Sequence, residues 1–124
     1  MTRLGQFLTL AVLGLASASA TAKELAPVPN PFGASIHVDR STLKREGAVV
    51  SFTYILAAVP GSNAIDASID CSARTYAITG VVRHSQPLAE GTAEEMPQPP
   101  RSERTMKPLP SNSSFESLAS FVCG

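Results

Sequence analysis

The sequence predicts an α+β fold: a small antiparallel β-sheet arranged as a meander, with a short C-terminal helix packed on one face and one disulfide. Three observations support this prediction. Successive segments alternate apolar and polar residues as half-buried strands do, and the loops between them are too short for parallel crossovers. The last segment carries apolar residues at helical spacing, and the chain has two cysteines.

The first 22 residues have the three parts of a secretory signal peptide: Arg3, an apolar run from Phe7 to Ala16, and small residues of the kind that export peptidases cleave. The run is about ten residues, shorter than the roughly 20 that span a bilayer as a helix. Cleavage before Thr21 or before Lys23 fits, and the polar segment that begins at Lys23 favours the second. No cysteine stands at the cleavage sites directly after the run, where a bacterial lipoprotein carries its lipid. We therefore expect an exported protein without a lipid anchor, periplasmic or at the cell surface.

Removal of residues 1–22 leaves 102 residues with a formal charge of −1, because Arg3 is the only charged residue removed. This length suits one domain with one modest core. A net charge this close to zero does not indicate the basic surface that binds nucleic acid or anionic lipid. We expect neither nucleic acid nor a membrane as a partner.

The mature chain divides into an extended N-terminal arm, residues 23–34, and a folded domain, residues 35–124. The arm has three prolines and no apolar periodicity. Residues 35–39 predict a first strand and residues 40–47 a polar turn. Three further strands are predicted from alternation, with these residues on their apolar faces: Val50, Phe52, Tyr54 and Leu56; Ile65, Ala67, Ile69 and Cys71; Tyr76, Ile78 and Val82.

The rest of the chain predicts an irregular excursion followed by a helix. Residues 85–110 are proline-rich, and only 104–109 suggest a short edge-strand pairing. Ser113 and Glu116 have the spacing of a capping box, in which each side chain satisfies a backbone amide of the other residue. Behind them a helix of about eight to ten residues carries an apolar stripe, formed by Phe115, Leu118, Ala119 and Val122.

The two cysteines predict a Cys71–Cys123 disulfide, since an even cysteine count in a small exported domain indicates a bridge. The alternative is a pair of free thiols that serves a metal or a redox cycle. The chain has no CxxC motif, and two thiolates alone do not complete a tetrahedral zinc site. We expect no metal and no cofactor.

No catalytic residues are predicted. The chain has no nucleophile-elbow, phosphate-loop or metal-binding helix motif. His37 and Asp39 share the polar face of one strand and suggest a solvated pair, and His84 is expected at the fraying end of another strand. Glu94 and Glu95 fall in the proline-rich segment, where nothing fixes the distance between them.

Basic side chains leave two interpretations open. Arg74, Arg83 and the adjacent Lys44 and Arg45 are either part of a binding surface or part of an ordinary solubilising face. Composition alone favours the solubilising face.

The order of several short motifs resembles the surface-adhesin E-like family of small exported bacterial domains. The resemblance covers about residues 35–124 and includes "IHVDRSTLKREGAVVSFTYIL", "SIDCSARTYAI" and the terminal "FVCG". It implies an antiparallel sheet and a C-terminal helix tied by one disulfide. The matching positions are Val38, Asp39, Ser41, Arg45, Gly47, Val50, Phe52, Asp70, Cys71, Arg74, Tyr76, Val122, Cys123 and Gly124.

The named adhesins of that family lie on the surface of Gram-negative bacteria and bind host matrix and serum proteins, but they are lipoproteins, unlike the protein predicted here. The resemblance assigns no ligand-binding residues. It implies a non-catalytic exported binding module that contacts extracellular or envelope proteins. The alternative is a periplasmic accessory or structural protein of the cell envelope.

Overall fold

A computed structural model describes residues 22–124. The predicted signal peptide lies, except for its last residue, outside the described residues. Seven strands and two helices follow in chain order: β1 (Leu25–Pro27), β2 (Ile36–Glu46), β3 (Val49–Ala58), β4 (Gly61–Asp70), β5 (Thr75–Gln86), β6 (Glu90–Glu95), α1 (Arg101–Arg104), β7 (Lys107–Pro108) and α2 (Ser114–Cys123). A 3₁₀ turn, Pro87–Ala89, joins β5 to β6.

The strands form one antiparallel sheet in the order β1-β2-β3-β4-β5-β6, with β7 paired to the start of β5. Each strand from β1 to β6 pairs with its neighbour in the chain. The predicted α+β meander with a C-terminal helix is therefore confirmed.

The apolar faces of β3 and β4 are those that the alternation predicts. Val50, Phe52 and Tyr54 of β3 are buried, and so are Ile65, Ala67 and Ile69 of β4. These are cross-strand neighbours on one face, where Phe52 pairs with Ala67 and Tyr54 with Ile65. Side chains of successive strand residues point to opposite faces, so this face forms the core on which α2 packs.

The polar turn predicted at residues 40–47 is wrong, because β2 continues to Glu46 and turns only at Gly47 and Ala48. The register of β2 against β3 shifts between Asp39 and Lys44. Side chains replace backbone pairing at this bulge: the Thr42 hydroxyl donates to the Asp39 carbonyl oxygen at 2.7 Å and accepts from the Thr53 amide at 2.8 Å. A strand can therefore run through a stretch that reads as a turn.

A second bulge changes the face of β5. The β4–β5 register shifts after Asp66, which pairs with Gly80, while Ala67 pairs with Ile78. Beyond the extra residue the faces are exchanged, so Val81 and not the predicted Val82 packs against the core.

The predicted arm and the predicted excursion both contain strands. Residues 25–27 of the arm form β1 on the edge of β2, and Val28 is buried. In the excursion, β5 extends to Gln86 and β6 pairs with it. The edge pairing expected within residues 104–109 is confirmed as β7, where Tyr76 pairs with Lys107.

Helix α2 has the predicted length and apolar stripe. Leu118, Ala119 and Val122 are buried, and the Phe115 ring lies 4.3 Å from the Tyr76 ring, centroid to centroid. The reciprocal capping box is absent: the Ser113 hydroxyl donates to the Pro110 carbonyl oxygen, and Glu116 accepts from the Asn112 amide. The helix begins at the predicted residue, but the side chains of Ser113 and Glu116 hydrogen-bond to other residues and not to each other's backbone amides.

Cys71 and Cys123 form the predicted disulfide, with their Cα atoms 5.8 Å apart. Cys71 is the residue that follows β4, not an inward-facing residue within that strand, and both cysteines are half-buried against the core. The bond joins the last turn of α2 to the end of the sheet where β4 turns into β5.

Candidate functional site

Of the two residues considered as a pair, His37 and Asp39, it is Asp39 whose side chain is buried and hydrogen-bonded. Asp39 is 6% exposed, and its Oδ1 accepts hydrogen bonds from the Glu24 amide at 3.0 Å, the Ser41 amide at 3.1 Å and the Ser41 hydroxyl at 2.7 Å. The predicted solvated His37–Asp39 pair is therefore wrong, since the carboxylate is buried in a local backbone network.

The environment of Asp39 favours its ionised form. Burial acts to raise the pKa of this carboxyl, but the hydrogen bonds from Glu24 and Ser41, with the charge of Lys23, outweigh it and hold the pKa below its ordinary value. The group is ionised at neutral pH and organises the bulge of β2. A buried carboxylate that already accepts three hydrogen bonds is poorly suited to proton transfer.

Tyr54 is also a structural group. Burial in the core raises the pKa of its hydroxyl above the ordinary value of 10, and the neighbouring Tyr76 and Glu103 act in the same direction. It remains neutral under physiological conditions and contributes its ring to the core, 6.1 Å from the ring of Phe52.

His84 lies within a paired region of the sheet, contrary to its predicted place at a fraying strand end. It faces Ser62 of β4 on one side and Ala93 of β6 on the other. Its Nδ1 and the Oδ1 of Asn63 are buried, and within the described chain neither has a hydrogen-bond partner. Asn63 and His84 both line one depression in the surface of the sheet.

We call this depression the distal groove, because it lies at the end of the sheet away from the disulfide. Its volume is about 620 Å³. Three pieces of chain line it: the β3–β4 turn, the last part of β5, and the facing part of β6. The lining residues are Ala58, Val59, Pro60, Gly61, Ser62, Asn63, Arg83, His84, Ser85, Thr92, Ala93 and Glu94.

The floor of the distal groove depends on a close approach of two strands. A Cβ atom added to Gly61 would collide with the carbonyl oxygen of His84. Ser62, 1% exposed, holds the neighbouring chain, since its hydroxyl donates to the Gln86 carbonyl oxygen at 2.7 Å and accepts from the Ala89 amide at 2.9 Å. The shape of the groove is therefore fixed by backbone packing and hydrogen bonds at this end of the sheet.

The distal groove offers mixed polar chemistry with an apolar rim. Arg83 and Glu94 are cross-strand partners and place opposite charges on one face. Val59 at the tip of the β3–β4 turn is 93% exposed. Charged, amide and hydroxyl groups beside an exposed apolar residue suit contact with another protein.

A second, shallower depression of about 480 Å³ covers the polar face of the sheet. The Ser51 and Ser68 hydroxyl oxygens are 2.9 Å apart, and the Thr53 hydroxyl donates to Asp66 at 2.6 Å. These polar groups are already paired with one another across β3 and β4, which leaves fewer of them free for a ligand.

The basic residues considered as part of a binding surface do not lie together, which agrees with the solubilising face that composition favours. Arg74 and Arg83 lie toward opposite ends of β5, and the Arg45 guanidinium donates to the Val122 carbonyl oxygen of α2. Only Arg83 lies in the distal groove. The contributions of Asn63, Thr92 and Glu94 were not predicted, because the groove depends on a β5–β6 pairing that alternation does not indicate.

The described residues contain no cluster of three or more histidine, cysteine or acidic side chains that could hold a metal ion. Within the same residues neither histidine makes a hydrogen bond to a carboxylate. No helix between residues 22 and 124 has the length and apolarity that crossing a membrane requires.

The fold defines a class of protein: a small sheet-plus-helix module that is closed by a disulfide and has a groove at the opposite end of the sheet. More particularly, the chain belongs to the surface-adhesin protein E family, whose model matches residues 25–124. The match begins at the first residue of β1, about ten residues before the resemblance seen in the sequence. No curated protein and no solved structure matches the chain. The family indicates an adhesin-like protein of exported or surface location that binds other proteins.

Proposed function

We propose that this protein is a non-catalytic binding module, exported by a Gram-negative bacterium after cleavage of residues 1–22, that contacts extracellular or envelope proteins through the distal groove. The observation that carries this proposal is the family match over residues 25–124, which includes every strand and both helices.

The architecture supports different roles for the two ends of the sheet, one that closes the core and one that is open to contacts. At one end the Cys71–Cys123 disulfide and the buried face of α2 close the core. At the other end, the part of the sheet around Asn63, Arg83 and Glu94 is not covered by α2 and forms the distal groove. Contacts made there would leave the core undisturbed.

A localisation experiment on intact cells tests the export and the surface position. Protease added to cells should remove the protein if it is on the surface, while a periplasmic marker protein remains. Protection of the protein to the same extent as the marker would favour the alternative, a periplasmic accessory protein of the cell envelope.

An adhesion experiment tests the binding function. Cells that produce the protein should adhere to immobilised extracellular-matrix proteins at physiological salt more strongly than cells that lack its gene. A variant with Arg83→Glu should lose this difference, whereas Arg101→Glu, the same charge change on the exposed helix α1, should retain it. Equal adhesion with and without the protein would contradict the adhesin-like role.

A further inference from the structure

Strand β6 forms an open edge of the sheet beside the distal groove. It pairs with β5 on one side, and no strand among the described residues pairs with its other side. All six of its residues are exposed. An unpaired strand edge is a template for an additional strand.

The backbone register shows which groups of β6 face outward. The Met96 amide donates to the Val81 carbonyl oxygen at 3.0 Å, so these two residues form a hydrogen-bonded pair. Such pairs alternate along an antiparallel ladder, which turns the backbone of Glu94 toward its partner Arg83. The N–H and C=O groups of Ala93 and Glu95 therefore point away from β5.

The charge of β6 limits what can pair with it. The strand carries Glu90, Glu94 and Glu95 and no basic residue. Lys23 forms a 3.0 Å ion pair with Glu90, while the other two carboxylates form no ion pair within residues 22–124. A second copy of β6 would place carboxylates against carboxylates, which is destabilising. A segment with lysine or arginine side chains would be complementary.

The part of the opposite edge that β1 forms is less suitable for strand addition. Strand β1 has three residues, of which the last is Pro27, and Pro29 and Pro31 follow it. Proline lacks the N–H that a ladder needs. On β6 the first proline, Pro97, comes only after the strand has ended, so the free edge is as long as the strand itself.

We propose that the outer edge of β6 binds an extended, basic segment of a partner protein as an added strand. This inference rests on the proposed binding function and specifies the partner's chemistry. Backbone groups of the segment pair with Ala93 and Glu95, and its basic side chains contact Glu94 on the groove face of β6 or Glu95 on the opposite face. Since Thr92 and Glu94 also line the distal groove, alternate side chains of the segment would reach the groove.

A peptide titration tests the inference with the purified mature protein. The probe is a peptide of about seven residues that alternates lysine and valine. The controls are its glutamate–valine counterpart and the lysine peptide methylated on its backbone nitrogens. We expect the lysine peptide to slow hydrogen exchange of the Ala93 and Glu95 amides, and salt to weaken the binding. The two controls should bind at least about tenfold more weakly.

Matched variants separate the contribution of backbone hydrogen bonds to binding from that of the carboxylate charges. Ala93→Pro removes an outward donor and should abolish binding, whereas Ala93→Ser keeps the donor and should bind normally. Glu94→Gln with Glu95→Gln should raise the Kd about tenfold or more. Equal binding of the lysine and glutamate peptides, or protection confined to amides outside β6, would overturn the inference.

The two proposals can fail separately. If the lysine peptide does not bind but matrix proteins do, the edge inference is wrong and the binding function stands. If the peptide binds at β6 and cells show no adhesion, the edge inference stands and the adhesin-like role is wrong.

Discussion

Arg45 donates a hydrogen bond from Nη2 to the carbonyl oxygen of Val122 at 3.2 Å, across 77 residues of chain. Val122 is next to Cys123, which is bonded to Cys71. The last carbonyl groups of a helix have no partner within the helix, and a cation near them is favourable. A charge-assisted hydrogen bond from β2 and a covalent bond after β4 therefore hold the same turn of α2.

Removing the disulfide should destabilise the protein strongly. Cys71 and Cys123 are 52 residues apart, and closing a loop of that length contributes about 4 kcal/mol in the chain-entropy model. We expect the Cys71→Ser, Cys123→Ser variant to lose about 2–5 kcal/mol in urea unfolding. Mass spectrometry of the non-reduced wild type should show two fewer hydrogens than the reduced form. Two alkylatable thiols would refute the bond.

Arg45→Ala should destabilise the protein by about 1 kcal/mol, because the Val122 carbonyl group loses a charged donor. The neighbouring Lys44→Ala is the control, since Lys44 lines the polar face of the sheet and should change the free energy of unfolding by less than about 0.5 kcal/mol. Equal effects of the two substitutions in urea unfolding would show that the contact to α2 contributes nothing.

Leu118→Ala should destabilise the protein by about 2–5 kcal/mol, since Leu118 is 1% exposed and fills the space between α2 and the sheet. Ser120→Ala, on the exposed side of the same helix, should have little effect. Thermal unfolding followed by circular dichroism gives the comparison. Similar midpoints for the two variants would contradict the packing of α2.

The Asp39 network predicts a pH dependence of stability. Because the pKa of Asp39 is lower in the folded protein than in the unfolded chain, ionisation stabilises the fold. This contribution is complete above the unfolded pKa of about 3.9 and is lost as the pH falls through the folded value. Asp39→Asn should therefore cost about 1–3 kcal/mol at neutral pH.

The difference between wild type and Asp39→Asn should shrink below about pH 4. Ser41→Ala, which removes one of the three donors to Asp39, should show a smaller loss of about 1 kcal/mol. A constant difference between wild type and Asp39→Asn from pH 7 to pH 3 would contradict the network.

The parts of the fold that the sequence predicts correctly are those with one buried face. Strands β3 and β4 alternate because one side contacts the core and the other contacts solvent. The apolar stripe of α2 can be recognised in the sequence because one side of this helix is also buried against the core. The disulfide follows from the cysteine count and the predicted export, with only one possible intramolecular pairing.

The parts that the sequence does not predict are those where burial leaves no pattern. Strand β6 has two exposed faces and shows no alternation, and its absence from the prediction hides the distal groove. The bulges in β2 and β5 interrupt the alternation of inward and outward side chains. The bulge in β5 moves Val81 onto the core face. The bulge in β2 lets that strand continue past Asp39. Such shifts depend on hydrogen bonds to other strands.

Binding of purified variants to immobilised matrix proteins at physiological salt is the most direct test of the central claim, that the distal end of the sheet contacts partner proteins. The wild type and Arg101→Glu should bind equally, and Arg83→Glu should remain folded at the assay temperature and bind at least about tenfold more weakly. Equal binding by all three proteins, or binding by none, would contradict the claim.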